Sequence, residues 1–372
     1  MVVTVRNVPF IDIVPVGPAG AGKSCLLAAM NQGLKGWEQS PAPVLKPDPV
    51  TALVLEEVWQ SRQVRGTECQ AGVRHRGVVD LWFEAGADGG GPLFETRLAD
   101  YDGGAVAVDR HAVGRALAAR VRGADAVLCV LDGERVAGLL DGDRDGFDQG
   151  MAAVWKLVVA PRKVVRFVVT KWDVLEGRAS LAQVRDALLG HPGFAMVLRR
   201  LSACPGEAGT VALIPVSVAG EDAGQQAVVP LMSVLSQALR AAAGRAERSA
   251  GRGGALVAGV GMNWLSQAVT AVAVQQVLQR VVDAVPERRA ARRYVGHAAT
   301  GASMLVEAAV RTWCERGARP ADDQAARAGG KPLTRAAEAY EWQLREFHRR
   351  FPDADLTGAV SPPPRLLRRL LG

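Results

Sequence analysis

Residues 17–24 read G-P-A-G-A-G-K-S: two glycines separated by four residues, then Lys and Ser. That spacing suits a loop in which Gly17, Gly20 and Gly22 let the backbone curl and aim successive N–H groups at phosphate oxygens. Lys23 would reach the outer phosphates, and the Ser24 hydroxyl is a ligand type for Mg²⁺. Lysine occurs only at 23, 35, 46, 156, 163, 171 and 331, arginine carrying most of the positive charge, so Lys23 is a selective use of the residue. Two later stretches hold compatible chemistry. Residues 100–103 (D-Y-D-G) supply a carboxylate at Asp100 for the metal's hydration shell and an N–H at Gly103 for a terminal phosphate. Residues 170–173 (T-K-W-D) place Asp173 where it could accept from the N1–H and exocyclic amine of guanine, a donor pair that adenine lacks. Residues 216–218 (V-S-V) are placed to meet the base edge.

These residues need elements that deliver them to one crevice. An apolar run at 10–16 predicts a strand before the glycine loop, and CLLAAM at 25–30 begins a helix after it. The proline-rich stretch from 35 predicts loop, and 50–64 a helix. Residues 77–85 and 92–99 flank GADGGG and predict an antiparallel hairpin that leads into Asp100. Strands at 124–131, 164–170 and 211–218 then alternate with helices at 109–122, 147–159, 181–189 and 230–243. Such alternation predicts an α/β fold, a doubly wound and mostly parallel sheet with one antiparallel hairpin strand. Its strand ends carry 17, 100, 170 and 216. The expected partition is an α/β domain over 1–244, a linker over 245–254 rich in Gly and Arg, and a helical C-terminal region over 255–372, with helices at 255–285, 287–316 and 332–350.

Composition excludes several classes. Five cysteines with no C-x-x-C pair argue against a disulfide framework and against a zinc site. The five histidines show no metal-ligand spacing. D-G-D-R-D-G at 141–146 opens like a calcium loop, but position twelve is Ala152 where a bidentate Glu belongs, so a solvated loop is expected. The net charge of +7 is concentrated late: residues 245–372 carry 20 Lys and Arg against 12 Asp and Glu. That asymmetry suits contact with an acidic surface, although no motif points to a specific nucleic acid. Residues 253–279 hold no charged side chain, and 255–274 is long enough to span a bilayer. Asn263, Ser266, Gln267 and Thr270 form a polar stripe along it, however, which favours a packed bundle helix. Leu366, Leu367, Leu370 and Leu371 alternate with Arg365, Arg368 and Arg369, a short end suited to peripheral contact with anionic lipid. The N-terminus lacks a secretory signal. A cytoplasmic location, with membrane association as the alternative, is the expectation.

The order glycine loop, hairpin, D-x-x-G, T-K-x-D and a short serine motif resembles the Ras-like GTPases of the translation-factor-related (TRAFAC) class, over about residues 9–243. The resemblance implies GTP/GDP and Mg²⁺ as ligands. It assigns the loop 17–25 (Gly17, Ala19, Gly20, Ala21, Gly22, Lys23, Ser24, Cys25) to the phosphates, and Thr170, Lys171, Asp173, Ser217 and Val218 to the guanine. Ser24 and Asp100 go to the metal, with Lys23 and Gly103 as catalytic positions. Thr170 stands where many such proteins have Asn. A first-switch threonine should also face the metal; Thr67 is the candidate over Thr51, which the helix pattern claims. W-x₆-G-T at 59–67 and D-Y-x-G at 100–103 are similar to bacterial double-GTPase proteins, a family associated with conflict and defence systems, which implies a protein partner, another GTPase among the candidates. One departure matters. Gly104 follows D-x-x-G where Ras-like enzymes often place a water-orienting Gln, so hydrolysis should be slow or depend on a partner. A nucleotide-binding scaffold that never hydrolyses and a P-loop ATPase or kinase are the alternatives.

Overall fold

The computed structural model describes residues 8–37, 42–65, 78–86, 92–107, 112–158, 164–203, 211–220, 223–251, 331–357 and 359. Strand β1 (Phe10–Val16) is buried along almost its whole length, and helix α1 (Lys23–Lys35) follows the glycine loop. Then come β2 (Val44–Pro47), α2 (Pro49–Arg65), β3 (Val78–Gly86) and β4 (Pro92–Tyr101). A short helix α3 (Gly104–Ala107) precedes α4 (Ala112–Gly123), β5 (Ala126–Asp132), α5 (Gly133–Leu140) and α6 (Arg144–Val158). The series continues with β6 (Val164–Thr170), α7 (Leu181–Gly190), α8 (Pro192–Ala203), β7 (Ala212–Pro215), α9 (Ala223–Gly251) and α10 (Lys331–Arg350).

The seven strands form one sheet in the order β2-β3-β4-β1-β5-β6-β7. The β1, β4, β5, β6 and β7 neighbours pair in parallel, while β2–β3 and the expected β3–β4 hairpin are antiparallel. β5 and β6 are buried at every position, which explains their uninterrupted apolar sequence: a central parallel strand is covered on both faces. One core holds Leu26 and Met30 of α1, Leu55 of α2, Leu235 of α9 and Tyr340 of α10. The other holds Leu117 of α4, Phe147 and Trp155 of α6, Leu188 of α7 and Phe194 of α8. Helices therefore cover both faces, and the chain leaves the neighbouring strands β1 and β4 for opposite sides of the sheet, through α1 and α4. The crevice at that switch, at the carboxyl ends of the strands, is where such sheets bind ligands.

Three expectations need correction. Part of the proline-rich stretch is the edge strand β2, held by backbone pairing to β3 rather than by its own propensity. The expected linker over 245–254 is helical through Gly251, because its Arg, Ala and Glu residues extend α9 at little cost. The C-terminal region is not separate throughout: its described residues 331–357 and 359 belong to the same compact unit as the described residues between 8 and 244. α10 buries Leu333, Ala336, Ala337, Tyr340 and Leu344, and the Tyr340 hydroxyl donates to the Pro43 carbonyl at 2.6 Å. Beyond it, Leu356 N–H donates to Val211 O at 2.8 Å, and Asp355 bridges Ala212 beside β7.

The expected helices at 255–285 and 287–316, the uncharged stretch 253–279 and the terminal Leu/Arg run lie outside the described residues. Among the described residues one stretch, Ala223–Ala246, is long and apolar enough to cross a membrane, and 67% of its apolar 18-residue window is buried inside the protein. It serves as a core helix.

Candidate functional site

β1 ends against the glycine loop, and local sterics explain the residue types there. A Cβ on Gly17 would lie 2.7 Å from the Val130 carbonyl oxygen of β5, so nothing larger fits. Gly20 (φ 78°) and Gly22 (φ 76°) occupy the left-handed region, where a side chain would strain the backbone. Gly22 caps α1 and accepts from Leu26 N–H at 2.8 Å. The loop thus ends at a helix N-terminus. Cys25 follows, half-buried, in the first turn.

Lys23 is 6% exposed, and its ammonium donates to Gly17 O at 3.0 Å and Pro18 O at 2.9 Å. It also lies 5.2 Å from the ring centroid of Tyr101, a cation–π contact. Burial lowers its pKa from 10.5 to about 8, against the opposing pull of Asp100 and Asp102. A charged group in such a place is poised for an anionic ligand to supply the missing solvation.

The end of β4 delivers the D-x-x-G residues to the same loop. Ser24 Oγ donates to Asp100 Oδ1 at 3.0 Å, and Tyr101 N–H donates to the same oxygen. The Tyr101 hydroxyl donates to Pro15 O at 2.9 Å, which fastens the end of β4 to β1. Gly103 packs directly on the glycine loop: a Cβ there would lie 2.6 Å from Ala19 Cα and 2.7 Å from Lys23 Nζ. Gly104 N–H donates to Asp102 Oδ1 at 3.0 Å.

The T-K-W-D residues arrive from β6. Thr170 is 1% exposed, and its hydroxyl lies 2.8 Å from Ala21 O in the glycine loop and 3.1 Å from Leu131 O on β5. Lys171 has φ 51°, and it alone among the described non-glycine residues has a positive φ. Asp173 accepts from Ser217 Oγ at 2.9 Å. Trp172 N–H donates to Val216 O at 3.2 Å, tying the turn to the residues that follow β7. Val218 is half-buried against the core.

No protein-family model matches this chain, and no curated protein does. The site must be read from its own chemistry.

Of the residues expected from sequence, the fold gathers Gly17, Ala19, Gly20, Ala21, Gly22, Lys23, Ser24, Asp100, Gly103 and Thr170 around one loop. Asp173 and Ser217 join through the T-K-W-D turn. Thr67 lies outside the described residues. Thr51 is turned to structural use, bonding Asp48 and accepting from Trp82 N–H at 2.8 Å. Sequence reasoning missed Tyr101, and it missed Asp132 and Glu134, which pair with Lys171 at 3.1 and 3.0 Å. Their signal was available: D-G-E sits at the carboxyl end of an apolar strand, the same kind of place that carries T-K-W-D.

For Mg²⁺, the donor set fits. Ser24 and Asp100 put a hydroxyl and a carboxylate side by side below Lys23, and Mg²⁺ ordinarily takes only one or two protein ligands, the rest being water and phosphate oxygens. Among the described residues there is no cluster of three or more His, Cys, Asp or Glu that could hold a metal without such a ligand.

Proposed function

We propose that this chain is a guanine-nucleotide-binding switch of the Ras-like, translation-factor-related type, with GTP hydrolysis that is slow or dependent on a partner. The observation that carries the reading is the Thr170 bond to Ala21 O, which joins the T-K-W-D turn to the glycine loop. The glycine loop and the turn that carries Asp173, more than 140 residues apart in sequence, are thereby tied together, which supports their serving a single nucleotide.

Each residue has a defined task. Backbone N–H groups of the loop 17–25 would meet the phosphates, Lys23 would neutralise them, and Asp173, held by Ser217, would accept from the guanine edge. Ser24 and Asp100 would hold Mg²⁺, which neutralises charge on the phosphates when bound. Gly103, packed on Ala19, would register the terminal phosphate by moving with it, an ordering change of the kind that GTP switches use. Gly104 has no side chain to orient water, and its N–H is already committed to Asp102. A residue supplied by a protein partner, which the reading allows to be a second GTPase, would complete hydrolysis. The same observation favours a second reading, a nucleotide-dependent scaffold that never turns over; single-turnover hydrolysis with and without partners separates the two.

The test is titration of the purified chain with GTP, GDP and ATP. Guanine nucleotides should bind and ATP should not, and Asp173→Asn should transfer preference toward xanthine nucleotides. Equal affinity for ATP and GTP, or an Asp173→Asn variant with unchanged GTP affinity, would sink the guanine assignment and leave a phosphate loop of undetermined base.

A further inference from the structure

Lys171 sits two residues before Asp173, close enough for a four-carbon stem to bring its ammonium onto that carboxylate. Such a pairing would occupy the acceptor that the proposed reading reserves for the guanine edge. Instead, Asp173 is held by the uncharged Ser217 hydroxyl, and Lys171 points to a different pair of acids. Asp132, at the end of β5, is nearly buried, its side chain 6% exposed, and lies 3.1 Å from Lys171 Nζ. Glu134, 63% exposed, lies 3.0 Å from the same nitrogen on α5. Between them Gly133 is pressed against the T-K backbone: a Cβ there would lie 2.4 Å from Thr170 O and 2.6 Å from Lys171 O. Only glycine lets the turn come that close. Asp132 also caps α5 by accepting from Glu134 N–H at 3.1 Å, which fixes its carboxylate.

We infer that Asp132 and Glu134 are specificity-determining positioning residues, whose carboxylates hold the Lys171 ammonium away from Asp173 and so keep Asp173 available to read a guanine base. Burial alone would lower the Lys171 pKa, but the two acids outweigh it and the net direction is upward, in keeping with a lysine held charged at this place. Asp132 carries most of the effect, because a pair with a buried partner is screened less than one with an exposed partner.

The inference rests on the guanine-nucleotide reading, and the experiment keeps the two apart. Fluorescent GTP and GDP are titrated against the wild-type full chain, Glu134→Gln, Asp132→Asn, and the double variant, each also in a Lys171→Met background. Asn caps a helix as well as Asp, so Asp132→Asn removes the charge and keeps the cap, and Glu134→Gln is a surface change that leaves the fold intact. The double variant should bind GTP and GDP about 10-fold more weakly, Glu134→Gln alone about 2-fold, with the GTP-to-GDP ratio unchanged because the phosphate end is untouched. In the Lys171→Met background the same changes should have no effect, since the ammonium they restrain is gone; a Lys171→Met chain that no longer binds GTP would show that the ammonium serves the nucleotide directly and would overturn the inference. Undiminished affinity in the double variant overturns the inference while leaving the guanine reading in place. So does a loss of the same size in the Lys171→Met background, which would mark a merely structural role. Wild-type protein that binds neither GTP nor GDP overturns both.

Discussion

Replacing Lys23 by Met should make the nucleotide-free protein more stable while abolishing nucleotide binding. The ammonium is buried beneath its own loop, with two carbonyl oxygens and a tyrosine ring as its immediate partners and with Asp100 and Asp102 opposing the cost of burial. Its pKa falls from 10.5 to about 8. The unfolded chain therefore binds more protons than the folded one between pH 8 and 10.5, and this group's contribution to stability rises with pH across that window. Below pH 8 the full cost of burying the charge is present, about 3 kcal/mol by the usual conversion. Met keeps the stem and removes the charge. Urea unfolding without nucleotide should then show the variant 1–3 kcal/mol more stable at pH 7, as an order of magnitude, with the difference shrinking toward pH 10.5. Subtracting the two curves cancels the other titrating groups. If the variant is equally or less stable at pH 7, or if the two pH profiles run parallel, Lys23 is not held at a cost and the argument that its site awaits an anion fails. Added GTP should raise the stability of wild type alone.

Two further substitutions probe the contacts that bring the loops together. Gly103→Ala places a methyl within 3 Å of Ala19 and Lys23, so the D-x-x-G turn must lift from the glycine loop; GTP affinity should fall more than GDP affinity in paired titrations, and an unchanged ratio would remove Gly103 from the phosphate-sensing role. Thr170→Val keeps the shape but leaves Ala21 O and Leu131 O without the hydroxyl, at a cost of about 1–3 kcal/mol for buried acceptors. Urea midpoints should report that loss together with weaker binding of every nucleotide, and a loss below about 0.5 kcal/mol would mean that water replaces the bond.

The site was more legible in the sequence than the architecture around it, for a physical reason. The glycines that the tight loop requires at 17, 20 and 22 and the polar residues at the strand ends, Asp100 and Thr170, stand out in one dimension, and the fold brings them together. The central strands were equally plain, because burial on both faces enforces a continuous apolar run in β5 and β6. β2 was not. Its four residues are too short a run to stand out, with Val44 a strand former but Lys46 and Pro47 disfavoured in strands, and pairing to β3 decides the outcome. α10 was visible as a helix through the spacing of Leu333, Ala337, Tyr340 and Leu344, but periodicity reveals a buried face without naming what covers it. The covering partner is the core beneath α1 and β4, where Tyr340 stacks edge-on against Phe94 with ring centroids 6.5 Å apart. Likewise the Gly- and Arg-rich 245–251 stretch read as loop by composition, while a helix already nucleated in α9 extends through it for the small cost of one more residue at a time.

The two ends of the crevice meet on three residues. Ala19 lies under Gly103 from the phosphate-sensing turn, and Ala21 accepts from Thr170 of the base-reading turn, with Gly20 between them in a conformation that its missing side chain allows. Neither turn touches the other through the bonds described; each is braced against the same short stretch of loop. Because Thr170 braces the loop itself through Ala21 O, Thr170→Val should be felt by every nucleotide irrespective of its phosphate count. Under the proposed reading the roles separate, Gly103 answering to the phosphates and Asp173 to the base, and a loop braced from both sides would lower the ordering cost of binding.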